Sequence, residues 1–189
     1  MDLIEAAGQG NITAVRDALE KFPAINARDD SGGTALMEAS LQGHTEIVKL
    51  LIENGADVYL KDDSGGTALM YASGQGHTET VKLLIEKGAD VNAKDNFGWT
   101  ALMYVLGQGH TETVKLLIEN GADVNSRDNS GETALMYASG QGHTETVKLL
   151  IENYADVNTR DNGGCTALMY ASVKGHTEIV SMLKTAGAK

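Results

Sequence analysis

The sequence predicts an all-α repeat solenoid, helix-turn-helix units joined by β-hairpin-like loops, and three observations carry that prediction. The stretch from Asp62 to Lys94 recurs at a fixed period of 33 residues along a chain of 189, so that Thr67 aligns with Thr34, Thr100, Thr133 and Thr166, and His77 with His44, His110, His143 and His176, without a gap. Self-similarity at one period is the signature of stacked repeats. Within each unit, apolar residues recur at helical spacing in two short runs. Between units, Asn, Asp and Gly cluster as they do in turns. Such a chain is expected to form one domain over residues 1–189, with internal repeats at 29–61, 62–94, 95–127 and 128–160 and terminal repeats at 1–28 and 161–189. Its work is then done on a surface.

Each element of the unit has a local reason. Thr67 precedes Ala68-Leu69-Met70-Tyr71-Ala72-Ser73, where its hydroxyl can accept a backbone N–H and start a short helix. Gly74-Gln75-Gly76 ends that helix, because glycine tolerates the left-handed turn there. A second helix is expected from about Thr78 to Glu86, with Val81, Leu84 and Ile85 on its apolar side and Lys82 and Glu86 facing water. Gly88-Ala89-Asp90 stops it, and Val91 through Gly98 is read as a projecting hairpin. None of these helices reaches the roughly 12 residues at which isolated helices become marginal, so each must be held by its neighbours.

Composition narrows the function classes. A 42% hydrophobic fraction with 22% charged residues suits a packed core. The formal net charge of −11 disfavours phosphate backbones and anionic membrane surfaces and makes a partner with a basic face the expected complement. No apolar run approaches the roughly 18 residues of a spanning helix, and the start, Met1 to Gly10, lacks the form of a signal peptide. Cys165 is alone, which points to a reducing compartment and a cytoplasmic location.

The pattern D-x-x-G-x-T-A-L-M-x-A-S-x-x-G-H-x-E-x-V-K-L-L-I-E-x-G-A-D-V-N closely resembles the ankyrin repeat over essentially the whole chain. The resemblance implies a non-catalytic module whose hairpin tips and first helices line a concave face that binds partner proteins. One departure runs throughout: the family's Thr-Pro-Leu-His is Thr67-Ala68-Leu69-Met70 here, and likewise in the other copies. Alanine gives up the preset backbone angle of proline at the first helical position. Methionine gives up the hydrogen bonds that the family histidine makes to the hairpin, so a looser hairpin base is expected.

The ends read as caps, and hence as the ends of a complete or deliberately terminated array. Asp17 and Ala18 stand where the next copy has Leu50 and Leu51, and Lys184 stands where earlier copies have Ile52 and Ile85. The first repeat's helix stop, Phe22-Pro23-Ala24-Ile25, is irregular. At the position of Gly55, Gly88 and Gly121 the fifth copy has Tyr154, which should cost on the order of 1 kcal/mol if the backbone angle there is positive. That junction is expected to fray first.

No catalytic constellation emerges. The five histidines occupy one equivalent position per repeat, about 10 Å apart in a stack of packed helices, whereas zinc ligands each lie within roughly 2.1 Å of one metal. They are read as ties between neighbouring turns. The recurrent Asp29, Asp62, Asp95, Asp128 and Asp161 sit where aspartate forms turns by accepting backbone N–H groups. Cys165 has no flanking base to activate it. No cofactor, metal or enzymatic activity is expected.

What differs between copies marks the candidate partner site. At the two positions flanking the hairpin glycine most copies carry small residues, but the middle copy carries Phe97 and Trp99, the latter the sole tryptophan. Both are expected to be solvent-exposed and to bind a partner, since tryptophan and tyrosine dominate interface hot spots. Tyr71, Tyr104, Tyr137 and Tyr170 form a row beside them, replaced by Glu38 in the second copy; a residue repeated identically is read first as serving the stack and second as partner contact. Leu106, in the Val105-Leu106 pair that replaces Ala-Ser, adds apolar bulk; Arg127 and Glu132 lie at the rim, with Arg160 and Lys174 as weaker candidates. A monomeric protein-binding module is the favoured reading. The alternative is a synthetic or consensus-like scaffold without a natural partner, because Gly-Gln-Gly-His-Thr-Glu-Thr-Val-Lys-Leu-Leu-Ile-Glu is identical in three successive copies.

Overall fold

A computed structural model describes residues 2–21 and 24–189; Phe22 and Pro23 of the irregular first stop lie outside them. The described chain is a row of helix pairs: α1 (Leu3–Gly8) with α2 (Ile12–Lys21), α3 (Ala35–Leu41) with α4 (Thr45–Glu53), α5 (Ala68–Gly74) with α6 (Thr78–Glu86), α7 (Ala101–Tyr104) with α8 (Thr111–Glu119), α9 (Ala134–Gln141) with α10 (Thr144–Glu152), and α11 (Ala167–Lys174) with α12 (Thr177–Thr185). First helices pack on first helices and second on second, in chain order. It is an all-α solenoid, as expected.

The first helices begin where the hydroxyl predicts. Thr34, Thr67, Thr133 and Thr166 stand in extended conformation, and each Oγ1 accepts the N–H of the methionine three residues on, at 3.3–3.4 Å. Those methionines are not surface residues. Met37, Met70, Met103 and Met136 lie in the core, so replacing the family histidine moves apolar volume inward. Val48, Leu51 and their equivalents Val81, Leu84, Val114, Leu117, Val147 and Leu150 are fully buried and make the core continuous from pair to pair.

Among the described residues the loops contain no β-strand, only isolated bridges pairing Arg28 with Thr34 and Arg127 with Thr133. Each loop is a tight turn whose tip bonds to the next. Asp63, Asn96, Asn129 and Asn162 donate their backbone N–H to Ser31, Ser64, Phe97 and Ser130 carbonyls at 2.9–3.0 Å. The Nδ2 groups of Asn96, Asn129 and Asn162 donate in the same direction, to the carbonyls of Asp63, Asn96 and Asn129. Gly98 has φ 82°, and a Cβ there would come within 2.8 Å of Asn129 Oδ1, so the spacing of stacked tips requires glycine.

The middle repeat departs from its neighbours. Val105-Leu106 fills space that Ala-Ser leaves elsewhere; α7 stops after four residues and Val105–Gly107 continues as a 3-10 turn. Two further differences accompany it. Thr100 Oγ1 has no hydrogen-bond partner, unlike the other four capping threonines. His44, His77 and His176 tie to the Gly8, Leu41 and Gly140 carbonyls at 3.1–3.2 Å, as expected, but His110 and His143 find no partner for Nε2. The histidine tie is therefore missing at His110, within this repeat, and at His143, in the repeat that follows.

The polar outer face expected at the C-terminal end holds for α12, where Lys184 is exposed, but not for α11. Met169 is 42% and Val173 85% exposed, whereas Met37, Met70, Met103 and Met136, at the position of Met169 in the earlier copies, are buried.

Candidate partner-binding face

The turn Asp95–Trp99 places the aromatic pair. Asp95 Oδ1 accepts the N–H groups of Phe97 and Trp99, both at 2.8 Å, while the Asp95 N–H bonds the Trp99 carbonyl at 3.0 Å. The same carboxylate brace recurs at Asp29, Asp62, Asp128 and Asp161. It is the turn role read from the sequence.

The second carboxylate oxygen does something the sequence reading missed. Asp95 Oδ2 accepts the Tyr104 hydroxyl at 2.8 Å and Asp128 Oδ2 the Tyr137 hydroxyl at 2.7 Å; Asp62 takes Tyr71 and Asp161 takes Tyr170 in the same way. Each aspartate thus ties its turn to the first helix nine residues later. The constant Asp-to-Tyr spacing, from Asp62 to Tyr71 and on to Asp161 and Tyr170, was the available signal. Burial first, and then these carboxylates, hold the Tyr71, Tyr104 and Tyr137 hydroxyls well above the ordinary tyrosine range; for Tyr170 the Glu132 hydrogen bond is the larger cause.

Trp99 is half-buried, not free in solvent, which corrects the expectation of two exposed aromatics. Its indole lies edge-on to Tyr104 with centroids 5.8 Å apart and tilted against Tyr137 at 4.9 Å, and Tyr104 in turn meets Tyr71 edge-on at 6.5 Å. Nε1 of Trp99 donates to Asp128 Oδ2 at 3.1 Å, so the side chain bridges two repeats. Phe97 is 66% exposed beside it. Asp95, Phe97, Trp99, Tyr104, Asp128, Asn129, Ser130 and Tyr137 line an open groove of about 470 Å³.

The remaining candidates divide. Glu132 joins the cluster: its Oε2 lies 2.9 Å from the Tyr137 hydroxyl and its Oε1 2.5 Å from that of Tyr170, so it shares the single proton of each with Asp128 and Asp161 respectively. Leu106 does not: it is 2% exposed within the core, because its bulk points into the stack, and it offers no partner contact. Arg127 is exposed, but its guanidinium donates to the Gly131 and Arg160 carbonyls at 3.1 and 2.8 Å and braces two loops. Arg160 donates to the Gly164 carbonyl within its own loop, and Lys174 is the last residue of α11.

A stack of helix pairs with tied turns and a half-buried aromatic row is the geometry of a repeat protein that presents a face. The family model described as ankyrin repeats, three copies, matches residues 3–95, 93–161 and 127–189. The chain is 37% identical to an ankyrin repeat domain from Acinetobacter baumannii AYE, solved as a crystal structure, with a TM-score of 0.88 over 99% of this chain and 98% of that one. No curated protein sequence matches it. The chain belongs to the ankyrin repeat family, whose members are generally protein-interaction modules and whose fold is typically non-catalytic.

Proposed function

We propose that this protein is a non-catalytic binding module that captures a partner protein on the face formed by its hairpin tips and first helices, centred on Phe97 and Trp99. The observation that carries the reading is Phe97: a large ring two-thirds exposed at a turn where the other copies have small residues, against a tryptophan that two tyrosines hold in place. Tyr71, Tyr104, Tyr137 and Glu132 complete the contact surface. The unit of function is a single domain, residues 1–189, divided at the repeat boundaries given by the period. The acidic balance favours a partner with a basic face over nucleic acid, and a monomer in the cytoplasm is the simplest form for a face that must stay open. Among the described residues no helix is long and apolar enough to cross a membrane.

The identical 13-residue block in three copies favours a second reading, a consensus-like scaffold without a natural partner. Quantitative capture from a cell extract with the wild type and with a Phe97→Ala, Trp99→Ala variant separates them. The binding reading expects at least one protein retained by the wild type and lost by the variant. Retention that is identical for both would overturn it.

A further inference from the structure

Resting on the reading of this face as a partner surface, we infer that the groove beside Trp99 receives an arginine side chain of the partner.

The groove combines aromatic faces with negative charge that nothing in the protein neutralises. Asp95 and Asp128 are each 8% exposed and Glu132 stands beside them, and every hydrogen bond to their side chains comes from a neutral donor: backbone N–H groups, tyrosine hydroxyls or the Trp99 indole. The ion pairs among the described residues, Arg28 with Asp63 and Lys115 with Glu119, lie elsewhere. Arg127, the cation next in sequence to Asp128, is turned onto backbone carbonyls. The charge is therefore held in place but left unmatched, at the edge of a half-dry site where a cation gains more than it would in water.

Acceptor capacity also remains. Asp95 Oδ2 takes a single hydrogen bond, from Tyr104, and the two Glu132 oxygens have only a share in the Tyr137 and Tyr170 protons, which Asp128 and Asp161 also accept. Phe97 leaves most of its ring open and Trp99 forms the wall beside it. A guanidinium suits this better than an ammonium. It is planar, stacks on aromatic faces while its edge donates to carboxylates, and is more weakly hydrated, so it loses less on entering the groove. An apolar side chain would cover the rings but leave the carboxylates further desolvated and unmatched.

The test uses three short peptides that differ at one central residue, arginine, its neutral isostere citrulline, or leucine, titrated into isotope-labelled full-length protein. Trp99 is the sole tryptophan, so its indole N–H resonance reports the groove directly. The arginine peptide is expected to shift that resonance saturably, with citrulline and leucine at least about tenfold weaker. Glu132→Gln, which removes charge without touching the Asp128 turn, should weaken arginine several-fold and leave citrulline unchanged. Phe97→Ala should abolish the shift. Citrulline or leucine binding as tightly as arginine, or no arginine-induced shift at all, overturns the cation assignment. The partner-surface reading is judged separately, by whether capture of a protein depends on Phe97 and Trp99.

Discussion

Trp99 donates its indole N–H to Asp128 across the boundary between two repeats, 3.1 Å from nitrogen to oxygen. The residue that breaks the repeat most visibly is thus also stitched into it. Trp99→Phe keeps an aromatic ring against Tyr137 but removes the donor. It is expected to lower stability by about 1.5–3 kcal/mol, the range for a hydrogen bond to a charged group. Urea denaturation followed by circular dichroism checks this, and an unchanged midpoint would show that the bridge contributes nothing.

Leu106 is core and not contact surface. Leu106→Ala should cost about 2–4 kcal/mol through the cavity it leaves, while a partner captured by the wild type is still captured by the folded fraction. Loss of capture at unchanged stability would return Leu106 to the binding face.

The shortened α7 makes its own prediction. In a Val105→Ala, Leu106→Ser double variant the segment matches its neighbours, and the first helix is expected to run to Gly107 as α5 runs to Gly74. His110 and His143 should then gain the carbonyl ties seen at His77 and His176, detected as slowed exchange of the ring Nε2 protons. If the rings stay unbonded, the bulk of Val105 and Leu106 is not what displaces them.

Tyr154 is the one described non-glycine residue with positive φ, 66°, and its side chain is 89% exposed, so little packing offsets the strain. Tyr154→Gly should stabilise the protein by about 1 kcal/mol. In the wild type the amides from Asn153 to Asn158 should exchange faster than those around Asn120. Equal protection at the two junctions would contradict both expectations.

The half-buried tyrosine hydroxyls should make stability fall at alkaline pH. Burial and the Asp95 and Asp128 carboxylates raise the folded-state pKa of Tyr104 and Tyr137 above the ordinary value of 10.0. Below pH about 10 both states hold the proton and stability is constant. Above it the unfolded chain ionises first, so stability falls as pH rises through the folded values. Tyr104→Phe should flatten that decline, and equal slopes for variant and wild type in alkaline denaturation would exclude the linkage.

Much of the fold was legible because the signals repeat. A capping threonine, a glycine stop and a carboxylate in a turn act within a few residues of one another, and five copies show the same choice at the same place. The site was legible only where it breaks the pattern, at Phe97 and Trp99. Exposure was not: Trp99 and Leu106 look alike as large residues in place of small ones, yet one lies half-open against two tyrosines and the other is sealed in the core. Nor did Arg127 reveal that its guanidinium would be spent on backbone carbonyls.

The sequence by itself determined the period, the helix starts and stops, and therefore the stack, because those are local interactions multiplied by repetition. Only the tertiary structure decided which oxygen of each aspartate faces its turn and which faces a tyrosine, where the histidine ties fail, and how Trp99 reaches into the following repeat. Those outcomes depend on the spacing between neighbouring units, which is fixed by the packing of all their side chains at once and not by any one copy.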